Sequence, residues 1–283
     1  MPPLLRQKRP FSFRLATGWL LLLVAGGLLA PLLPLAYAPG VPDLAHLMEA
    51  PDWSAAAPHW LGTDPQGRDV LTELLYGARQ LVSISLPAVA LATLNGALLG
   101  GAAGFWKTLW LRWGWLRIPL PLEGLFQLAV TLLGAVPRLV LILLLAAGPA
   151  FSDVGFLLLL AVISWPEPAR QVRAQMLQLR EEPFVEAAYM SGLRPWQVWL
   201  RHALPHAVQP LRATAPLSLA GLIGLETTLA FLGIGRPPEV PSWGQELALL
   251  RQQPGAWWVL ASVGGALLLT LLALQQVARK SDR

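Results

Sequence analysis

His202 and His206 stand four residues apart, the spacing at which an uninterrupted helix turns two imidazoles toward one metal ion. Pro205 lies between them and no third ligand is near, so no metal site is expected there. His46 and His59 read as isolated residues of a polar stretch, with surface or partner contact as their default role. The chain has no cysteine, which removes disulfides, thiolate nucleophiles and Cys-ligated zinc or iron-sulfur centres. All four histidines fall in loops or at the edge of an apolar run, so a Ser/His/Asp set inside a membrane lacks its base. There is also no Gly-x-x-x-x-Gly-Lys-Ser/Thr run to cradle phosphates. No catalytic residue, metal ligand or cofactor-binding residue is therefore expected, and the chain does not read as an enzyme. Two ionisable residues, Arg138 and Glu226, fall within apolar runs, where a charge is costly and usually faces a cavity or a partner. Pathway lining, a structural ion pair between them, and snorkelling of Arg138 toward an interface all remain open.

The elements that would position these residues are membrane helices. The 283 residues are 55% hydrophobic and only 13% charged, with a mean hydropathy of +0.53, which excludes a water-exposed globular enzyme. A hydrocarbon core of about 30 Å needs roughly 20 apolar residues at helical rise. Six stretches qualify: Leu15 to Leu35, Leu81 to Phe105, Leu125 to Ala147, Ser152 to Trp165, Val208 to Leu232 and Trp257 to Leu274. The fourth is short and is followed by Pro166 and Pro168. Arg6, Lys8 and Arg9 ahead of an apolar run ending near Ala36-Tyr37-Ala38 imitate a signal peptide, but the run is longer than a signal core and is read as an uncleaved first span. The expected organisation is an all-α membrane protein with a cytoplasmic segment 1–14 and one transmembrane domain 15–283. That domain carries an outer loop 39–80 and a cytoplasmic loop 167–207.

Most of the 21 lysines and arginines fall in Arg6 to Arg14, Lys107 to Arg117, Arg170 to Arg212 and Arg279 to Arg283; Arg68, Arg79, Arg236 and Arg251 fall on the other side. The positive-inside rule then places both termini in the cytoplasm. Topology accounts for the net charge of +5, and no nucleic-acid partner is needed. Trp106, Trp110, Trp113 and Trp115 suit a headgroup-level loop, as do Trp257 and Trp258 at the start of the last span. Gly96, Gly100 and Gly104 recur every fourth residue and would admit another backbone, either within the chain or from a second subunit.

Both polar loops carry helix signals. In the outer loop, Thr63 or Asp64 ahead of Pro65 predicts a capped helix start, and an amphipathic helix on the outer surface would explain it. In the inner loop, Glu186 to Met190 favours helix, Gly192 suits a left-handed C-terminal cap, and Pro195 opens a second short helix. Two short helices at a bend outside the bilayer fit either a groove on a partner protein or a plain interfacial connector.

The inner loop then becomes specific: Glu186-Ala187-Ala188, Gly192 and His202-Ala203-Leu204-Pro205 together resemble the EAA loop of bacterial ABC-transporter permeases. Gly62-Thr63-Asp64, Gly67, Arg68 and Asp69 resemble the dipeptide/oligopeptide/nickel branch. Phe231-Leu232-Gly233-Ile234-Gly235, with Pro237-Pro238 and Pro241-Ser242-Trp243-Gly244, is similar to that branch's segment after the fifth helix. The matches run from His59 to Gly244. The resemblance implies a type I ABC importer permease fold with six transmembrane helices in the bacterial plasma (inner) membrane, forming half of a pathway for peptides or a related small solute. Implied partners are a second homologous permease, two ABC ATPase subunits holding ATP and Mg, and an extracytoplasmic solute-binding protein. Glu186, Ala187, Ala188, Gly192, Leu204 and Pro205 would couple to the ATPase. The sequence departs from the pattern at His202, where isoleucine is general, and at His206, where asparagine is common in this branch. The third span offers Gln127 and then Pro137-Arg138 in place of the acidic residue expected there. An ATPase-independent secondary transporter or channel is the alternative, and it would carry inverted repeats that this sequence does not display.

Overall fold

The computed structural model describes residues 12–35, 37–54, 59–106, 108–113, 116–135, 137, 140, 152–234, 237 and 240–281. It forms two compact units, one of Met1–Val82, Glu226–Gly233 and Pro238–Arg283, the other of Ser83–Leu225 and Ile234–Pro237.

In the first unit, helix α1 (Phe13–Leu29) opens on Ser12, whose side chain accepts from the Leu15 amide. Leu15, Leu21, Leu22 and Leu28 are well exposed while Leu23 is buried, as suits a helix whose solvent on one side is lipid. Helix α2 (Val70–Gln80) runs through a π turn at Leu81–Ser85 into α3 (Leu86–Phe105), making one helical run of 36 residues. At helical rise this is about 54 Å, nearly twice the hydrocarbon thickness, so one end must stand outside it. The unit is completed by a short helix α11 (Trp243–Leu249), by α12 (Trp257–Val259) and, after a second π turn at Leu260–Gly264, by α13 (Gly265–Ser281). Helix α1 lies against both α2 and α13. Trp19 Nε1 donates to Thr270 Oγ1 at 3.0 Å, and Lys280 Nζ sits 3.7 Å above the Phe13 ring.

The second unit is organised by the glycine stripe of α3. A Cβ on Gly96 would lie 2.8 Å from the Ala169 amide nitrogen, one on Gly100 2.1 Å from the Ala169 carbonyl oxygen, and one on Gly104 2.8 Å from Met176 Cβ. The stripe therefore serves packing within the chain, against α6 (Pro166–Leu179). Helix α5 (Asp153–Ser164), capped by Ser152, leads directly into α6 through Trp165. Helix α4 (Leu122–Ala135) is held to α6 by an ion pair of Glu123 with Arg173, whose guanidinium also lies 5.9 Å from the Phe126 ring centroid. Helices α7 (Pro183–Met190), α8 (Pro195–Val198) and α9 (Leu204–Ala207) follow, and α10 (Leu211–Phe231) carries Pro216 in its interior.

Two findings differ from the sequence expectation. The long run starts at Val70, because Asp69 is its N-cap; Asp64 and Pro65 belong to a turn. The fold is all-α in its membrane helices, as expected, and adds one feature not expected, an antiparallel hairpin of β1 (Leu109–Trp113) and β2 (Leu116–Leu120), registered from Leu109↔Leu120 to Trp113↔Leu116. Among the described residues, four helices are long and apolar enough to cross a bilayer: Phe13–Leu32, Val70–Phe105, Leu211–Phe231 and Trp257–Ser281. Helix α4 is apolar but has 14 residues, and α5 has 12.

Candidate functional site

Each residue of the outer motif has a physical task. Gly62 and Gly67 sit at φ +77° and +82°, and a Cβ would lie 2.3 Å from the Glu49 carbonyl oxygen and 2.5 Å from that of Asp43, respectively. Thr63 Oγ1 donates to the His46 carbonyl at 2.6 Å and accepts from the Glu49 amide at 2.9 Å. Asp64 Oδ1 accepts from the amides of Gln66 and Arg68 at 2.7 and 2.8 Å, which closes the turn ahead of the helix. Asp69 Oδ2 caps α2 through the Thr72 amide at 2.8 Å, while its Oδ1 accepts from His59 Nδ1 at 3.0 Å.

Arg68 is the hub. Its Nε donates to Asp64 Oδ2 at 2.6 Å and its Nη2 to Glu246 Oε1 at 2.7 Å, and Glu73 Oε2 lies 3.9 Å from Nη1. All four side chains are buried. Burial works to lower the Arg68 pKa, but the charges of Glu246, Asp64 and Glu73 outweigh it and hold the group above its ordinary range. Burial pushes the Glu246 carboxyl up, with Arg68 opposing. Tryptophans complete the frame: Trp258 Nε1 donates to the Thr63 carbonyl and Trp243 Nε1 to that of Leu74, both at 3.0 Å. Gly77 is glycine because a Cβ would lie 2.3 Å from Trp243 Cδ1.

His46 and His59, read as isolated in the sequence, meet across the outer loop, their ring centroids 5.7 Å apart. Asp43 lies between them, with Oδ2 2.9 Å from His46 Nδ1 and 3.6 Å from His59 Nε2. A π turn at Trp199–Ala203 breaks the helical phase, His202 is half-buried, and the exposed His206 faces the Phe184 ring at 5.3 Å.

In the inner loop, α7 and α8 each begin on proline, and Gly192 at φ +80° turns the chain between them, its amide donating to the Tyr189 carbonyl at 2.9 Å. The Glu-Ala-Ala triplet divides by face. Ala188 is buried with Val185 and Val198 against Phe105 and Leu193, while Glu186 and Ala187 face outward. The outward surface also shows Phe184, Tyr189, Trp196 and Met190, the last 84% exposed. Leu204 packs on the core of Ala97, Val172, Met176, Ala203, Ala207 and Leu211, and Pro205 is exposed. This is a small apolar platform with a carboxylate, held by a buried seam.

Glu226 of α10 is 4% exposed and its Oε1 accepts from Gln80 Nε2 at 2.6 Å. Arg138, for which pairing with Glu226 is one of the readings the sequence leaves open, lies outside the described residues. A cavity of about 270 Å³ opens between α5, α6 and α10, lined by Ser164, Glu167, Gln171, Thr214 and Ser218 beside Leu217, Gly221, Leu222 and Leu225. Thr214 Oγ1 donates to Gln171 Oε1 at 2.7 Å across it. Its sequence signal was the polar pair Thr214 and Ser218, four residues apart inside an apolar run.

Residues 96–281 match the family model of the binding-protein-dependent transport system inner membrane component. A putative peptide permease protein of Brucella suis biovar 1 is 33% identical over 246 residues, 85% of this chain and 75% of the relative. A second from the same organism, a putative peptide transport system permease protein, is 33% identical over 275 residues, 96% of this chain and 86% of its own. The dipeptide transport system permease protein DppC of Alkalihalophilus pseudofirmus is 31% identical over 226 residues, covering 78% of this chain and 69% of the relative. The matched region begins inside the glycine stripe of α3 and takes in the platform of α7 to α9, the cavity and the Glu246 end of the ion network; on that match, the chain belongs to the binding-protein-dependent transport system inner membrane components, an all-α family of multi-pass membrane permeases.

Proposed function

We propose that this chain is the membrane-spanning subunit of an ATP-driven importer and forms half of a translocation pathway for peptides. The observation that carries the reading is the outward platform of Phe184, Glu186, Ala187, Tyr189, Met190 and Trp196 on a rigid helix pair, within a chain of the permease family. An exposed apolar patch with one acid, seated on a fixed scaffold, suits a groove on a partner protein. The printed names of three relatives support a peptide as the solute.

In this reading the chain crosses the bacterial inner membrane six times, with α4 and α5 taking part in the third and fourth crossings, and both termini are cytoplasmic. Residues 1–14 precede a single permease domain. The partners are a second homologous permease, two ABC ATPases that hold ATP and Mg2+ in place of this chain, and an extracytoplasmic binding protein that meets the outer loop. Closure of the ATPases moves the α7 and α8 pair, which shifts α3 and α6 through Phe105 and Met176 and reopens the pathway on the other face. The cavity of Glu167, Gln171, Thr214 and Ser218 supplies polar contacts for the peptide backbone on its way.

The test is uptake of a labelled dipeptide by the assembled transporter carrying Glu186→Lys or Gly192→Trp. Glu186 is exposed, so the reversed charge leaves membrane insertion intact while uptake is lost; Gly192 is exposed and open around a Cβ but sits at φ +80°, so its variant also strains the turn, and the amount of chain in the membrane is measured beside uptake. Normal uptake in both variants overturns the reading.

A further inference from the structure

His59 is 2% exposed, and its two ring nitrogens are treated differently. Nδ1 lies 3.0 Å from Asp69 Oδ1; since a carboxylate only accepts, Nδ1 donates, and Nε2 is the ring nitrogen turned toward the loop. Nε2 is buried with no hydrogen-bond partner and points at Asp43 Oδ2, 3.6 Å away. A buried imidazole nitrogen 3.6 Å from a carboxylate oxygen, beyond hydrogen-bond reach, leaves a gap that a cation shared by the two would fill. His46 brings a third donor to the same point, and one ligand atom from each of Asp43, His46 and His59 lies within 4.8 Å of the others.

We propose that Asp43, His46 and His59 bind one borderline divalent transition-metal ion of the Zn2+ type on the outer loop. Two imidazoles and a carboxylate are the donor set such an ion prefers, and a carboxylate behind the buried imidazole is the usual arrangement for fixing its tautomer and orientation. Asp69 is that positioning residue. The stacked Tyr37 ring, 4.1 Å from His59, holds the imidazole in plane. Asp43 and His46 are partly exposed and give the ion its entry and a fourth, solvent-facing position. On binding, His46 gives up the proton it now shares with Asp43 Oδ2 and coordinates through a ring nitrogen. The ion would clasp the strip around Asp43, whose amide donates to the Gly67 carbonyl at 2.7 Å, to the motif turn that positions Arg68. This reverses the expectation of no metal on the chain, and it stands whether or not the chain imports peptides.

The test uses the full chain in detergent, stripped with a chelator and titrated with Zn2+, with bound metal counted per chain. One ion is expected, with affinity at least about tenfold weaker in His46→Gln and in Asp43→Asn, both partly exposed and tolerant positions, and unchanged in His202→Gln. The His59→Gln variant abolishes it. Absence of binding at micromolar Zn2+ overturns the proposal. Stoichiometric binding that survives both His46→Gln and Asp43→Asn overturns it equally, since the ion then sits elsewhere.

Discussion

Arg68 Nη2 donates to Glu246 Oε1 at 2.7 Å, joining two residues 178 positions apart in the chain. The bond ties the turn ahead of α2 to the short helix α11, and both ends are buried. It gives the chemistry of the outer motif a structural reason: Arg68 must neutralise acids from three segments at once, and Asp64, Gly67 and Asp69 shape the turn that aims it.

Breaking that network is costly in a particular way. Arg68→Met strands Asp64, Glu73 and Glu246 without their cation, and the expected loss is about 3–5 kcal/mol of stability. Glu246→Met alone should cost less, and the double variant should recover part of the Arg68→Met loss, because it removes a stranded carboxylate. Thermal unfolding of the four proteins in one detergent checks this. Strict additivity of the two single effects would show that the residues do not interact.

The α3 and α6 seam sets a steric prediction. Gly100→Ala places a methyl group 2.1 Å from the Ala169 carbonyl oxygen, so the helices must separate, at a cost of about 1–3 kcal/mol. Gly221→Ala, with no atom within 4 Å, is the control and should be neutral or stabilising by up to about 1 kcal/mol. Equal effects at the two positions would contradict the seam.

In the metal-free chain the Asp43 and His46 pair responds to pH. The hydrogen bond from His46 holds the Asp43 carboxyl below its ordinary 3.8, and the bond to Asp43 holds His46 above its ordinary 6.5. A lowered acid contributes above its unfolded pKa and is lost as pH falls through the folded one. A raised histidine contributes below its unfolded pKa and is lost as pH rises through the folded one. The contact is therefore complete between about pH 4 and 6.5 and loosens on both sides. An NMR titration of histidine-labelled protein, assigned with His46→Gln, should place the His46 midpoint above 6.5. A midpoint at or below that value contradicts the hydrogen bond.

Much of this was legible in advance where one residue type dominates over a long stretch. The Leu- and Ala-rich runs of α1 and α13 and the glycine stripe of α3 announce helix and close approach whatever surrounds them. The start of α2 was misplaced because Asp64-Pro65 and Asp69-Val70 both look like caps; the choice is made by Gly67 and Arg68, whose backbone closes the Asp64 turn. The hairpin at β1 and β2 was hidden because its tryptophans and arginines equally suit an interfacial loop. Glu246, Glu73 and Asp43 were passed over since their importance lies in partners far along the chain. Separate reading of His46 and His59 failed for the same reason: only folding brings Asp43 between them.

The central claim is that the platform of α7 and α8 receives an ATPase, and its most direct test is recovery of the chain from native membranes in mild detergent, with co-purifying proteins identified by mass spectrometry. The wild-type chain should bring down a P-loop ATPase and a second permease, and Glu186→Lys should weaken the ATPase while keeping the permease. A chain that comes down alone in both preparations would contradict it and favour a gradient-driven transporter or channel, with the inner loop as a plain connector at the membrane surface.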